Sequence, residues 1–405
     1  MIQLLKLAYR DLGRNRRRSF FSALALGMGL GLLLLMAAVV DGEYRGSMES
    51  TIRLESGHLQ VRSASYDESK ASLAWEDLVE NPDGMAAQIA TLPPVEVSTP
   101  RLFASGIVAV GEETDAVRVI GIDPSSAANA PFSDGLVFGD FLTADDREGV
   151  LLGLPLAERL SLQVGDKVTL LINTSNGEVD QQDFIVRGLY STRTPSYDDR
   201  TVFLPLAKAQ AITRTENHAS AVLVLLHDRQ QAEAVASALQ GAGLQMVTWE
   251  KANELLLDTE EFAAAYMTFL YLIVLGITAT VIVNTLVMAV FERTREIGIL
   301  SAIGMRRRRI MAMFFAESGL LGIAGIAMGL VIGGLLVAYA TIQGFYIGDM
   351  GVTGIMLGDT IYAHLTLEDT LTLTLLAFVI TLLAALYPAW LAARMEPVDA
   401  LRAGQ

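Results

Sequence analysis

Cysteine is absent from the 405 residues. That excludes disulfides, iron–sulfur clusters, thiol catalysis and a lipidated cysteine. Histidine is scarce: the chain has four, none paired at ligand spacing, so no metal centre is expected. No G-x-x-x-x-G-K-[ST] loop occurs, so no phosphate cradle is expected in this chain. Ser63, Ser65, His58 and His218 form no spaced nucleophile–base motif, and no catalytic residue is expected. Basic charge is thin in two places. Residues 341–368 hold no Lys or Arg, and residues 41–265 hold 16 against 35 Asp and Glu. A region that acidic is not a nucleic-acid surface.

What the chain has in excess is apolar length. Hydrophobic residues make up 52% of it, and the mean hydropathy is +0.41, too high for an ordinary soluble protein. Four windows are long enough to cross a bilayer, for which about 20 apolar residues suffice: 19–40, 266–291, 310–340 and 369–390. Residues 1–18 carry six Lys/Arg against one Asp, and residues 292–309 carry six Arg against two Glu. The positive-inside rule puts both segments in the cytoplasm, and the acidic 41–265 and the outer loop 341–368 outside. Residues 1–18 read as an interfacial elbow helix with Leu4, Leu5, Ala8 and Leu12 on one face. The apolar core after Arg18 is too long for a cleaved signal peptide, which argues for an uncleaved anchor. A cytoplasmic tail, 391–405, returns the C-terminus to the same side as the N-terminus.

Small and polar residues mark helix contacts. Gly27 and Gly31 in the first window, and Gly325, Gly329 and Gly333 in the third, form small-xxx-small faces, while Asn284 in the second is expected to bond a neighbouring helix. Glu317 either marks the interface or pairs with an Arg. The acidic region reads as α+β in two lobes. The first is built from 41–100 and 207–265, and the second, 101–206, is inserted with short strands at 106–110, 116–120, 167–172, 184–189 and 201–204. Pro93, Pro94 and Pro100 read as a turn-rich link. Asp145, Asp146, Asp198 and Asp199 read as solvated loop charge, and Trp75 and Trp249 as core.

The chain is organised around the loop FERTREIGILSAIGM, 291–305, followed by four Arg, 306–309. Ile297, Leu300 and Gly304 fall on one helical face, with Ile299 and Ile303 beside them. Glu292, Arg293, Arg295 and Glu296 crowd the first turn. One reading is a basic helix lying on anionic lipid; the other is a docking helix for a soluble partner. The acidic residues, which lipid would repel, and the small Gly298, Ala302 and Gly304, which let a surface approach closely, favour docking.

ERTREIGILSAIG resembles the signature loop of the FtsX-like permeases of ABC transporters, the group holding MacB and the lipoprotein-releasing LolC and LolE. GHLQV at 57–61, GVLLGLPLAERLSLQVGDKV at 149–168 and YPAWLAARMEPVDALR at 387–402 carry the resemblance along most of the chain. It implies a membrane α-helical fold with four transmembrane helices and a large extracytoplasmic domain of two lobes between helices 1 and 2. It implies a multi-pass protein of the bacterial inner membrane, with the loop as coupling helix on an ATPase dimer. ATP and magnesium would then sit on that partner and not here, as in LolC and LolE and unlike MacB, whose ATPase is fused. A second permease, identical or different, would pair near 27–31 and 262–291. A periplasmic carrier or adaptor is a further implied partner, beside membrane lipid. Three functions fit the resemblance. They are mechanotransmission that extracts or releases a lipoprotein or other amphiphile, MacB-like efflux of peptides or small molecules from the periplasm, and FtsX-like regulation of a cell-wall hydrolase.

Overall fold

Each apolar window between charged flanks folds as a long helix in the computed structural model, which describes residues 10, 16–67, 72–241, 243–348 and 356–395. The elbow expected over 1–18 therefore lies outside the described residues except at Arg10 and 16–18, and so does the tail from 396. The chain divides into a helical unit and a sheet unit.

The helical unit holds most of α1 (Arg16–Thr51) and α2 (Glu254–Glu292), the short α3 (Thr294–Ala302), then α4 (Arg307–Gln343), α5 (Leu367–Ala384) and α6 (Leu386–Ala393). Among the described residues, four helical stretches, with α5 and α6 counted as one, have the length and apolarity to cross a membrane. Helix α1, at 36 residues, outlasts its apolar window, because helix propensity does not end where hydrophobicity does. Helix α5 starts where the Thr366 hydroxyl accepts from the Asp369 N–H at 3.0 Å, an N-cap with Glu368 and Asp369 in its first turn. It breaks at Ala385 because Pro388 has no N–H to donate four residues back.

The glycines bring α1 and α4 into backbone contact. A Cβ on Gly27 would lie 3.0 Å from the Gly325 carbonyl oxygen, one on Gly31 3.1 Å from the Gly333 nitrogen, and one on Gly329 2.9 Å from Leu30 Cβ and 3.1 Å from the Gly27 carbonyl oxygen. These five glycines thus meet within one chain, while Met28, between Gly27 and Gly31, stays exposed on the other side of α1. Gly329→Leu is expected to force the pair apart and cost about 1–3 kcal/mol or more. A full-chain melting midpoint in detergent equal to the wild type would contradict this. Asn284 finds no neighbour within this chain: it is exposed on α2 and makes no hydrogen bond to another helix among the described residues.

The sheet unit is built from β1 (Leu59–Ser63), β2 (Val79–Glu80), β3 (Val95–Val110), β4 (Glu113–Ile122), β5 (Leu136–Gly139), β6 (Gly149–Gly153), β7 (Lys167–Asn173), β8 (Val179–Tyr190), β9 (Thr201–Pro205), β10 (His218–Ala219), β11 (Ala221–Leu226) and β12 (Leu244–Thr248). Ten of these form one sheet in the order β12-β1-β11-β3-β4-β9-β6-β8-β5, and β7 pairs with both β3 and β8. That double pairing closes β3, β4, β9, β6, β8 and β7 into a six-stranded barrel, which removes their free edges. Alternate residues fill it, among them Ala104, Val119, Val150, Leu170, Val186 and Val202. The other lobe is the antiparallel layer β12-β1-β11-β3, covered by helices Pro82–Ile89 and Ala232–Ala238, whose Ile89 and Val235 pack with Leu59, Val61, Val222 and Val224.

Strand β3 belongs to both lobes, so the expected boundary at 100–101 falls inside it. Pro100 is a strand residue rather than part of a link. It faces Val222 of β11, and on the other edge β4 pairs only from Arg101 onward, so no ladder bond needs the missing N–H. Trp75 is not core. It is 54% exposed and stacks on His218 with ring centres 4.9 Å apart. His58 is structural: its Nδ1 accepts from the Leu226 N–H at 2.9 Å, and burial lowers its pKa.

Of the four aspartates read as solvated loop charge, Asp145 is exposed, as expected, and the other three are not. Asp146 accepts from the Gly149 N–H at 2.8 Å and from Arg187 Nε at 2.8 Å, and Asp199 pairs with Arg159. Asp198 is buried and accepts from the Thr192 N–H at 2.8 Å and the Thr192 hydroxyl at 2.7 Å. Burial outweighs these donors and pushes its carboxyl up to about 6 from 3.8. The folded state then holds a proton that the unfolded state has released, so stability falls as pH rises through the window between those two values. Melting midpoints should show that slope in the wild type and a shallower one in Asp198→Asn. Equal slopes would contradict the buried-acid account.

Candidate coupling site

The segment 292–309 is a helix held on one face and open on the other. Arg293 turns inward at the junction of α2 and α3, and its Nη1 lies 3.3 Å from Glu317 Oε2 on α4, with side chains only 7% and 3% exposed. Glu292, at the end of α2, pairs with Arg18 of α1. Ile297 is buried with Val290, Ile310, Met313, Phe314, Ala389 and Ala392, so the inner face of α3 is packed on α4 and α6. Gly298 is buried on the same side.

The outer face carries Arg295, Glu296, Ile299, Ala302 and Ile303, all exposed, with Ile303 at 80%. Leu300 is half-buried between the two faces. Gly304 ends the helix with φ at +94°, a left-handed position that suits glycine, while Met305 N–H donates to the Leu300 carbonyl at 3.0 Å. The four Arg at 306–309 are all exposed at the start of α4.

The expected docking set therefore divides. Arg293, Ile297 and Gly298 serve packing within the chain, Gly304 serves the turn, and Glu292 is tied to α1. Ile299 and Ile303, read from sequence only as neighbours of the apolar face, are the large apolar residues that α3 presents outward. Their spacing with Arg295 and Ala302 already marked a second face; what was missing was which face α4 and α6 cover.

An all-helical spanning unit with a large sheet domain between its first two spans, and a half-open short helix between the second and third, defines a polytopic membrane protein with a large soluble domain. The chain matches the MacB-like periplasmic core domain over residues 19–242 and the FtsX-like permease C-terminal region over residues 268–397, and it belongs to this family of ABC transporter permeases. It is 28% identical to the lipoprotein-releasing system transmembrane protein LolC of Xylella fastidiosa, over 62% of this chain and 64% of that one. To LolE of Haemophilus influenzae it is 24% identical over 94% and 93% of the two chains. The macrolide export ATP-binding/permease protein MacB of a Shewanella species is 23% identical over 98% of this chain and 60% of its own length. Like its inner-membrane relatives, it is a multi-pass inner-membrane protein.

Proposed function

We propose that this chain is the membrane subunit through which a separate ATPase dimer, carrying the ATP and magnesium, drives extraction or release of a lipoprotein or other amphiphile on the periplasmic side. The work is done by mechanotransmission. The ATPase moves α3, the helices carry the motion, and the periplasmic domain acts on the substrate. The observation that carries this reading is the half-open α3, whose buried face ties it to α4 and α6 while its outer face offers Ile299, Ala302 and Ile303 between charges. A helix lying on lipid would bury those apolar residues and keep acids away, yet Glu296 stands among them.

A second permease, identical or homologous, then pairs through the outward stripe of α2, where Gly276, Thr280 and Asn284 are exposed at four-residue spacing. A side-chain amide facing lipid finds a partner on another helix. Efflux of peptides or small molecules is the second reading, favoured by the match to the Shewanella MacB along nearly all of this chain.

Both readings require termini and α3 in the cytoplasm. In this cysteine-free chain, Glu112→Cys should react with an impermeant maleimide in intact spheroplasts, and Ser301→Cys only after permeabilisation. Labelling of Ser301→Cys from outside would sink the assignment.

A further inference from the structure

At the far end of α1 the helix changes its hydrogen-bond register. The Gly57 N–H donates to the Ile52 carbonyl at 2.8 Å, five residues back, so Ile52–Ser56 form a single π turn. Such turns are rare and gather at functional positions. The turn is gripped from the sheet. The Leu54 carbonyl accepts from Arg101 Nη1 at 3.0 Å and from the Tyr197 hydroxyl at 3.2 Å, with all three residues buried. The next residue, Glu55, pairs with Arg118 of β4, and its carbonyl accepts from Gln60 Nε2 at 3.0 Å. Asn253, one residue before α2, donates to Ser56 Oγ at 3.4 Å. The end of one long helix and the start of the next are thus tied to each other and to the strands.

Arg101 is an expensive way to fill that space. Its Nε and Nη2 are buried without a hydrogen-bond partner among the described residues, and its guanidinium lies 5.7 Å from the centre of the Phe132 ring. A buried cation with unmet donors lowers stability, and an apolar side chain of similar volume is often neutral or better. Packing alone gives no reason for an arginine here. Its position does, because β3 is the strand that both lobes share.

We propose that Arg101 is the positioning residue of a mechanical joint: with Tyr197 it locks the π turn at the end of α1 to β3, so that movement of α1 is delivered to both lobes of the sheet domain at once. The proposal rests on the mechanotransmission reading. It accounts for a buried charge that costs stability, and for the change of register at the turn where helix and sheet are joined.

The test uses the full chain in lipid nanodiscs with its ATPase subunit bound, and nitroxides on Gly46→Cys in α1 and Glu112→Cys in the β3–β4 turn. At rest the wild type should give one narrow distance distribution. Arg101→Met should broaden it while the melting midpoint of the sheet domain stays the same or rises, and Arg101→Lys, which keeps a donor for Leu54, should restore the narrow peak. A narrow peak in Arg101→Met, or a lowered midpoint, would overturn the joint and leave a structural residue. Trapping ATP hydrolysis with vanadate should shift the wild-type distance and not that of Arg101→Met. No shift in the wild type, with the resting peaks as expected, would refute transmission while leaving the grip of Arg101 on Leu54 in place.

Discussion

Glu317→Ala is expected to destabilise the helical unit by about 3–5 kcal/mol, the usual cost of breaking a buried ion pair from one side. Arg293 would keep its charge in a setting where its side chain is 7% exposed, without the carboxylate opposite it. The double change Arg293→Met with Glu317→Leu should recover most of the loss, because it removes both charges and keeps much of the volume. The readout is the melting midpoint of the full chain in detergent, with ATPase recovery measured in parallel. The single variant should lose both, since α3 would no longer be seated, and the double variant should regain both. A loss within about 1 kcal/mol for Glu317→Ala, typical of exposed pairs, would show that the pair is solvated and does not seat α3.

Much of the fold was legible because a membrane and a pleated strand both write simple periods. The four apolar windows fall on observed helices, the last of them broken once at Ala385, and the strands at 106–110, 116–120, 167–172, 184–189 and 201–204 each lie within an observed strand. The barrel was not legible. Its closure depends on β7 pairing with β3 some sixty residues away, and no local pattern in KVTLLIN states a second partner. Nor was the sharing of β3, because Pro100 looks like a break until the neighbouring edge is known to be unpaired at that point. Trp75 and Asp198 were misread for a related reason: a short polar segment does not reveal whether a distant strand covers it.

The proposed coupling helix, α3, shows the same limit at its most consequential. Its place, length and amphipathicity are written in ERTREIGILSAIG, but an amphipathic helix with apolar residues on both sides has two possible inner faces. Buried Arg293 and exposed Ile303 invert the simplest expectation of charge outside and apolar inside. The inversion has a cause in each case, since Glu317 receives the arginine and the proposed partner receives the isoleucine.

The most direct test of the coupling claim is recovery of the ATPase subunit with variants of the outer face of α3. Ile303→Asp and Ala302→Trp touch no residue of the inner packing, so insertion and melting should match the wild type. Each should weaken ATPase binding by about 2 kcal/mol, roughly thirtyfold, as expected for a change near the centre of an interface. Gly298→Trp is not a clean probe, because that residue is buried within the chain. Stable, correctly inserted Ile303→Asp and Ala302→Trp chains that lose the ATPase are the predicted result; the same chains recovered with a full complement of active ATPase would contradict the assignment of α3 as the coupling helix.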